Sequence, residues 1–221
     1  MKPAIAVTIG DYNGIGPEVS LKAIASPAVR SICTPVLVGP PGVFGRVASR
    51  CGIRLRFLPY PDAPGKDGRA VQVLAPPEGT RTRYFPGRLS ADAGAAAGAA
   101  IAAAVELVMA GGAHALVTAP VSKHALHLAG INAPGQTEIL QRLTHSPSVA
   151  MMLVSGALRV GLVTIHTPIA KVPRELTGKL LRERITVIHR ALRTDWGIAS
   201  PRLAVLALNP HAGEGGDLGH E

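Results

Sequence analysis

Short apolar runs alternate with segments of helical periodicity along most of the chain. The runs with the length and residue types of buried strands lie at residues 4–9, 34–38 and 115–118. Segments with helical periodicity lie between or before them, at residues 19–25, 43–50 and 91–110. Ser90 is a suitable N-cap for the alanine-rich third segment. This alternation predicts an α/β fold in which helices pack against a parallel sheet.

The rest of the chain shows a less regular pattern. Two alternating segments at 54–58 and 71–74 predict peripheral edge strands among loops rich in proline, glycine and arginine. After the third apolar run, the predicted elements are a helix at 138–143, strands at 149–154 and 160–163 joined around Ser155-Gly156, an amphipathic helix at 179–193, and a hydrophobic strand at 202–208.

The stretch from residue 115 to 138 is where we expect the functional site. Its apolar run predicts a central strand that stops at Ala119-Pro120, because proline cannot donate to a strand ladder. Ligands of open α/β sheets bind beyond the carboxyl ends of the strands. Lys123 is therefore a candidate contact for an anionic ligand, and the alternative is a solvated lysine at the start of a helix.

The first apolar run leads into a glycine-containing loop at residues 10–18, followed by a helix. This order favours anion binding, because glycines allow close backbone approach and a helix N-terminus attracts negative charge. Only Gly14 and Gly16 match the spacing of a dinucleotide fingerprint, so that fingerprint is not supported. A ligand loop and a purely structural tight turn both remain open.

The net charge and the composition limit the kinds of molecule that the chain is expected to bind. The net charge is +9, but the basic residues are scattered and no zinc finger or basic block is present, so we predict no nucleic-acid partner. A basic pocket for an anionic small molecule, or a contribution to solubility, explains the charge more simply. Asp92 and Glu106 interrupt the alanine-rich segment, which predicts a buried helix and no membrane span. The isolated Cys33 and Cys51 favour a reducing compartment, and we predict a cytoplasmic protein.

Two of the eight histidines stand out by position. His166 and His211 each follow a separate strand that we predict to be buried, and they lie next to or near a proline. Two imidazoles at neighbouring strand ends would share a divalent cation, and the alternative is a pair of unrelated loop histidines. His124 and His127 are three residues apart on a predicted helix, a spacing common enough by chance that we do not assign them a metal.

Several blocks together resemble one enzyme family. TIGDYNGIGPE, ALVTAPVSKHALHLAGI, PGQTEIL, LRVGLVTIHTP and LNPHAGEGG are similar to successive signature blocks of the 4-hydroxythreonine-4-phosphate dehydrogenase (PdxA) family and its paralogues. The resemblance implies a three-layer α/β/α architecture like that of isocitrate and isopropylmalate dehydrogenases. It also implies a homodimer with the active site at the interface, NAD or NADP as cofactor, and a divalent metal such as Zn, Mg or Co. The implied reaction oxidises the secondary alcohol of 4-phosphohydroxy-L-threonine, with subsequent decarboxylation, in pyridoxal 5'-phosphate biosynthesis.

The resemblance also implies roles for individual residues. His166 and His211 correspond to metal ligands, and Gln136 and Thr137 correspond to substrate contacts. Lys123 is predicted from its position after the strand, and not from the resemblance, to be a catalytic residue that contacts an anion. The family usually has histidine at the position of Gln136, and glutamine carries neither a proton nor a positive charge in the working pH range. This departure leaves open a paralogue that acts on threonate or erythronate 4-phosphate, or on an aromatic cis-dihydrodiol. No cofactor-binding residue is assigned.

Members of the family continue beyond the block that contains His211. We therefore expect residues 1–221 to form an incomplete PdxA-like dehydrogenase domain, truncated at the C-terminus, that lacks a third metal ligand and much of the nucleotide site. If Glu221 is the true end, the expectation is an inactive remnant, which is the third alternative. If the chain is a fragment, the prediction of a dehydrogenase applies to the intact protein.

Overall fold

The computed structural model describes residues 2–62, 69–77 and 82–219, which form two compact units that meet in sequence after His145. The segments 63–68 and 78–81 belong to the predicted proline- and glycine-rich loops and lie outside the described residues. Unit 1 contains the predicted strand and helix alternation together with Lys123, Gln136 and Thr137. Unit 2 contains His166 and His211.

Unit 1 is built on a five-stranded, fully parallel sheet. Its strands are β1 (Ala4–Thr8), β2 (Thr34–Val38), β3 (Arg56–Pro59), β4 (Ala70–Leu74) and β5 (Ala115–Val117). They lie in the spatial order β3-β4-β2-β1-β5. The apolar runs of β1 and β2 are buried, as expected for strands covered on both faces. The predicted α/β class with a parallel sheet is confirmed.

Helices surround this sheet. They are α1 (Gly16–Ala25), α2 (Pro27–Ile32), α3 (Pro41–Arg50), α4 (Ala91–Met109), α5 (Lys123–Leu128) and α6 (Gln136–Leu143). Helix α4 begins where the sequence predicts, because the Ser90 hydroxyl accepts a hydrogen bond of 3.1 Å from the backbone N–H of Ala93.

Helix α4 packs on two sides. One face, which includes Ala96, Ala100 and Ala104, belongs to the main core with the sheet, α1 and α3. The opposite face contacts a second apolar cluster that includes Leu126 of α5 and Ile139 of α6. Among the described residues, α4 is the one helix long and apolar enough to cross a membrane, and nine of its residues are buried in this packing. It is a core helix, as predicted.

Two predictions about the sheet were wrong. The strand at 115–118 was predicted to be central, but β5 pairs only with β1 and forms an edge of the described sheet, with Val117 half-exposed. The segment at 71–74 was predicted to be an edge strand, but β4 lies between β2 and β3. Apolar character alone does not give strand order: the apolar β5 is exposed at two of its three residues, whereas the alternating β4 is buried at three of its five.

Unit 2 contains an antiparallel hairpin and a long helix. The hairpin strands are β6 (Met151–Ser155) and β7 (Leu158–Leu162), and they pair Met151 with Leu162. The helices are α7 (Val172–Glu175) and α8 (Gly178–Thr194), and short 3₁₀ helices occupy Ile169–Lys171 and Pro210–Gly216. The predicted turn at Ser155-Gly156 is present, and Gly156 has a positive φ of 55°.

The strand predicted at 202–208 is absent. This segment makes no sheet ladder with any described residue, and Val205 and Leu206 are 58% and 87% exposed. Strand structure requires a hydrogen-bonding neighbour, so an apolar pattern without a partner strand stays irregular. Strands β6 and β7 are also largely exposed. The premise that His166 and His211 each follow a buried strand is therefore wrong.

Candidate functional site

Two loops of unit 1, which follow the carboxyl ends of β1 and β5, lie together at one sheet edge. The hydroxyl of Thr8, the last residue of β1, accepts a hydrogen bond of 3.2 Å from the N–H of Ala119. The N–H of Asp11 donates to the carbonyl of Pro120 at 2.9 Å. Thr8 and Ala119 are both buried, so the first of these bonds forms away from water, and together the two bonds fix the loops against each other.

Glycines permit this close approach. Gly10 has a φ of 68°, and a Cβ at this position would lie 2.3 Å from the carbonyl oxygen of Pro120. A Cβ on Gly16 would lie 2.4 Å from the carbonyl oxygen of Ile9. Both distances are far inside van der Waals contact, so no other residue fits without movement of the backbone. The packing of the two loops thus explains these glycines, which favours the structural alternative for the first loop.

Asn13 anchors the first loop to the segment before α4. Its side-chain amide donates to the carbonyl of Arg88 at 2.9 Å and to the hydroxyl of Ser90 at 3.2 Å, and its Oδ1 accepts from the N–H of Phe85 at 2.8 Å. Asn13 is only 3% exposed. The sequence analysis missed this role, although an asparagine within a glycine-rich loop is a frequent signal for such local backbone bonding.

Tyr12 lies beside Asn13 and is completely buried. Burial raises the pKa of the Tyr12 hydroxyl above its ordinary value, and the nearby Asp92 carboxylate raises that pKa further. The hydroxyl therefore stays neutral through the ordinary pH range. Tyr12 was not predicted, and the sequence offers no periodic pattern that would have indicated its burial.

Lys123 is the first residue of α5 and has an exposed side chain. Ser122 caps this helix, because its hydroxyl accepts a hydrogen bond of 3.2 Å from the N–H of Ala125. A Cβ on Gly135 would lie 4.0 Å from Lys123 Cε and 3.1 Å from Glu138 Oε2. The structure therefore brings Lys123 to the start of α6, where the two predicted substrate contacts lie.

Gln136 and Thr137 are the first two residues of α6. The Gln136 side-chain amide donates to the carbonyl of Ala119 at 3.4 Å, which ties α6 to the loop after β5. Its Oε1 is buried and has no hydrogen-bond partner within the described part of the chain. Gly135 precedes α6 without a side-chain cap, so the first backbone N–H groups of the helix are suited to an anionic or polar ligand group.

In unit 2, His166 lies four residues after β7 and has an exposed side chain. Its backbone has a φ of 58°, in the left-handed region that few residues other than glycine adopt. Such a conformation in a histidine is compatible with a functional constraint on the direction of its side chain.

His211 occupies a longer left-handed segment. Positive φ values run from His211 to Gly215 without interruption, and include Ala212 at 56° and Glu214 at 43°. The N–H of Leu218 closes the segment by donating to the carbonyl of Gly213 at 3.1 Å. Consecutive left-handed residues with side chains cost of order 1–3 kcal/mol each, and such strain is concentrated at functional sites.

The described part of the chain does not supply a complete donor set for a metal. No group of three or more histidine, cysteine, aspartate or glutamate side chains that could hold a metal ion occurs among residues 2–62, 69–77 and 82–219. Imidazole suits Zn²⁺ or Co²⁺, so His166 and His211 fit as two of the ligands, and catalytic sites of this kind use three protein ligands. His124 and His127 are exposed on α5, and the structure gives them no metal partner in the described residues.

Two groups of candidates thus emerge, each within one unit. Lys123, Gln136 and Thr137 lie together in unit 1 and offer an ammonium group, an amide, a hydroxyl and helix N–H groups to a polar anionic substrate. His166 and His211 lie in unit 2 on strained backbone and offer two imidazoles.

Comparisons with family models, related sequences and solved structures all indicate one protein family. The sequence model of the family described as pyridoxal phosphate biosynthetic protein PdxA matches residues 31–221. The 4-hydroxythreonine-4-phosphate dehydrogenase of Trichlorobacter lovleyi is 38% identical over 100% of this chain and 66% of its own length. The chain therefore spans slightly less than two thirds of that relative.

Solved structures agree with the sequence comparison. A 4-hydroxythreonine-4-phosphate dehydrogenase from Klebsiella pneumoniae matches with a TM-score of 0.89 and 34% identity, over 99% of this chain and 67% of that chain. A terephthalate 1,2-cis-dihydrodiol dehydrogenase from Burkholderia xenovorans LB400 matches with a TM-score of 0.66 and 31% identity, over 99% of this chain and 66% of that chain. Since the family model covers most of its length, this chain belongs to the PdxA family.

Proposed function

We propose that the chain is part of an NAD(P)-dependent dehydrogenase that oxidises the secondary alcohol of 4-phosphohydroxy-L-threonine, with decarboxylation of the resulting β-keto acid. The observation that supports this most strongly is the 38% identity, over the whole chain, to a relative named as 4-hydroxythreonine-4-phosphate dehydrogenase. The proposal includes a role in pyridoxal 5'-phosphate biosynthesis, a homodimeric assembly and a cytoplasmic location.

In this proposal, the residues at the start of α5 and α6 hold the substrate. The Lys123 ammonium group contacts an anionic group of the substrate, and the Thr137 hydroxyl and the first N–H groups of α6 donate hydrogen bonds to its oxygens. The Gln136 amide already donates to the Ala119 carbonyl, and its Oε1 is buried without a hydrogen-bond partner among the described residues. A substrate donor would satisfy an oxygen that otherwise lacks a hydrogen bond.

His166 and His211 are the proposed metal ligands, together with at least one ligand from outside the described residues. When bound, a divalent metal supplies Lewis-acid stabilisation of the negative charge that develops on the alcohol oxygen. NAD or NADP, when bound, would supply the hydride acceptor for this oxidation. The left-handed backbone at both histidines is the structural support for this assignment, because it fixes the direction of each side chain.

Two alternatives apply. A neutral Gln136 at a substrate-facing position favours a paralogue that acts on threonate or erythronate 4-phosphate or on an aromatic cis-dihydrodiol, and one structural relative is named for the last activity. The higher TM-score of the 4-hydroxythreonine-4-phosphate dehydrogenase favours the leading proposal. The second alternative is a non-catalytic remnant, since a third protein ligand is missing among the described residues.

The test is a comparison of substrates with the purified chain, whose intact mass is measured first. NAD(P) reduction is followed with 4-phosphohydroxy-L-threonine, the two sugar-acid phosphates and a cis-dihydrodiol, each with a divalent metal and again with a chelator. Metal-dependent turnover of the first substrate supports the proposal. Preferential turnover of another substrate supports a paralogue, and no turnover by a chain of the expected mass supports the remnant.

A second measurement tests the metal assignment without any turnover. We expect His166→Ala and His211→Ala each to weaken Zn²⁺ or Co²⁺ binding by at least about tenfold, a loss that even outer-sphere partners can cause. His124→Ala is the matched control, because His124 is also an exposed histidine but lies on α5. Equal metal affinity in all three variants would exclude the assignment.

A further inference from the structure

The amino-terminal edge of the sheet in unit 1 has a cavity of about 470 Å³. Lys2 lies two residues before β1, Arg54 lies two residues before β3, and Arg69 directly precedes β4. Because parallel strands begin at the same edge, these three segments bring their side chains to one place although they are far apart in sequence. Helix α2 contributes Arg30 and Ser31 to the same wall.

All the charged side chains among the described lining residues of this cavity are basic. Lys2, Arg30, Arg54 and Arg69 are four of its eight lining residues, and no described lining residue is an aspartate or a glutamate. Cations grouped around a concave surface raise the local positive potential and attract anions. The overall charge of +9 adds to this potential but does not explain why four cations line one cavity.

Backbone carbonyls orient two of these cations. Lys2 Nζ donates to the carbonyl of Arg30 at 2.5 Å, and the Arg30 guanidinium donates to the carbonyls of Ile24 at 2.8 Å and Ala70 at 3.3 Å. A carbonyl is neutral, so these bonds position the cations without cancelling their charge. Arg30 therefore also has a structural role, since it joins α1 to the start of β4.

Arg54 is the cation that is most available to a ligand. Its side chain is exposed and makes no hydrogen bond or ion pair with any residue in the described part of the chain. A guanidinium group offers a rigid fork of N–H donors that matches phosphate oxygens in pairs. Arg54 thus offers a donor that can adapt to a ligand, whereas Lys2 and Arg30 are held in fixed positions by their backbone hydrogen bonds.

The cavity points to a phosphate-bearing small molecule. Its volume lies within the range of roughly 300–1,000 Å³ that small-molecule sites occupy. Four cations line its wall, and Ala25, Pro27 and Leu55 provide an apolar surface beside them. None of the described lining residues is aromatic, which argues against single-stranded nucleic acid, where bases stack on aromatic rings. We infer that this cavity binds a small molecule that carries phosphate groups.

The experiment is calorimetric titration of the purified chain with pyrophosphate at low ionic strength. We expect saturable binding of one pyrophosphate at this cavity, and a loss of about tenfold in affinity for Arg54→Gln, as is typical when one charge-assisted hydrogen bond is removed. Arg50→Gln is the matched control, because Arg50 is an exposed arginine at the end of α3 that does not line the cavity. Its affinity should stay within about twofold of the unsubstituted chain.

Lys123→Gln separates this cavity from the carboxyl-edge site. If Lys123→Gln abolishes the titration while Arg54→Gln leaves it intact, pyrophosphate binds at the carboxyl edge and the inference is wrong. Equal losses in Arg54→Gln and Arg50→Gln would indicate attraction by net charge alone and would also overturn it. Absence of saturable binding at millimolar pyrophosphate would overturn the inference as well. Far-ultraviolet circular dichroism of each variant verifies that the fold is retained.

Discussion

Gly94 is the position where the packing of α4 against α5 is tightest. A Cβ on Gly94 would lie 1.9 Å from the carbonyl oxygen of Ala125, 2.3 Å from its carbonyl carbon and 2.9 Å from the N–H nitrogen of Leu126. All three atoms belong to the backbone of α5, so no side-chain rotation relieves the overlap. Ordinary contact begins at 3.4 Å, and α5 must therefore move by about 1.5 Å to accept an alanine.

We expect Gly94→Ala to destabilise unit 1 by about 2 kcal/mol or more. Overpacking of a tight core costs about 1–3 kcal/mol and sometimes more, and a backbone clash belongs at the upper end of that range. Alanine recovers about 1 kcal/mol through its higher helix propensity. The movement of α5 should also displace Lys123, its first residue, so ligand binding at the carboxyl edge should weaken together with stability.

Urea unfolding followed by far-ultraviolet circular dichroism measures this change. Gly45→Ala in α3 is the matched control, because a Cβ there has no atom within 4 Å, and it should stabilise the protein by about 0.5–1 kcal/mol. Gly98→Ala should fall between the two, since its Cβ meets only the movable side chain of Ile131, with Cδ1 at 2.2 Å and Cγ1 at 3.6 Å. The reasoning is refuted if Gly94→Ala is as stable as the unsubstituted chain, or shifts the midpoint in the same direction as Gly45→Ala.

Two further predictions concern the first loop. Thr8→Val removes the hydroxyl that accepts from the buried N–H of Ala119, and it should cost about 1–3 kcal/mol in urea unfolding, whereas Thr8→Ser should retain most of the stability. Because the pKa of Tyr12 is raised in the folded state, the unfolded chain loses the Tyr12 proton at lower pH than the folded chain does, and stability should decline as pH rises above the ordinary value of 10.0. Tyr12→Phe should flatten that decline in unfolding midpoints measured on both sides of this pH, and an unchanged slope would contradict the pKa argument.

The sequence predicted local elements of unit 1 well. Helix α4 illustrates why, because its N-cap, its small side chains and its length are all encoded within one continuous segment. The strands β1 and β2 are equally clear from their apolar runs. Strand order was not predictable in the same way, since it depends on which strands pair, and β4 and β5 exchanged their expected interior and edge positions.

In unit 2, by contrast, a predicted local element is absent. The pattern at 202–208 is apolar enough for a strand, yet no described residue pairs with it, and the argument that placed His211 at a buried strand end fails with it. His166 and His211 remain candidate metal ligands for a different reason. Left-handed backbone at His166 and at successive residues from His211 is invisible in residue type and becomes apparent only in the dihedral angles.

The glycines of the first loop show how one signal can have two physical origins. A strand, a glycine loop and a helix form an order that often binds phosphate, but Gly10 and Gly16 are already required by the contact with Pro120 and the carbonyl of Ile9. That contact holds the loop after β5, which in turn accepts the side-chain hydrogen bond from Gln136 at the start of α6. The glycines therefore act on a ligand only indirectly, through the position of α6. A search for the substrate's contacts should begin at Lys123, Gln136 and Thr137, because these are the polar groups that the packing of the two loops leaves available.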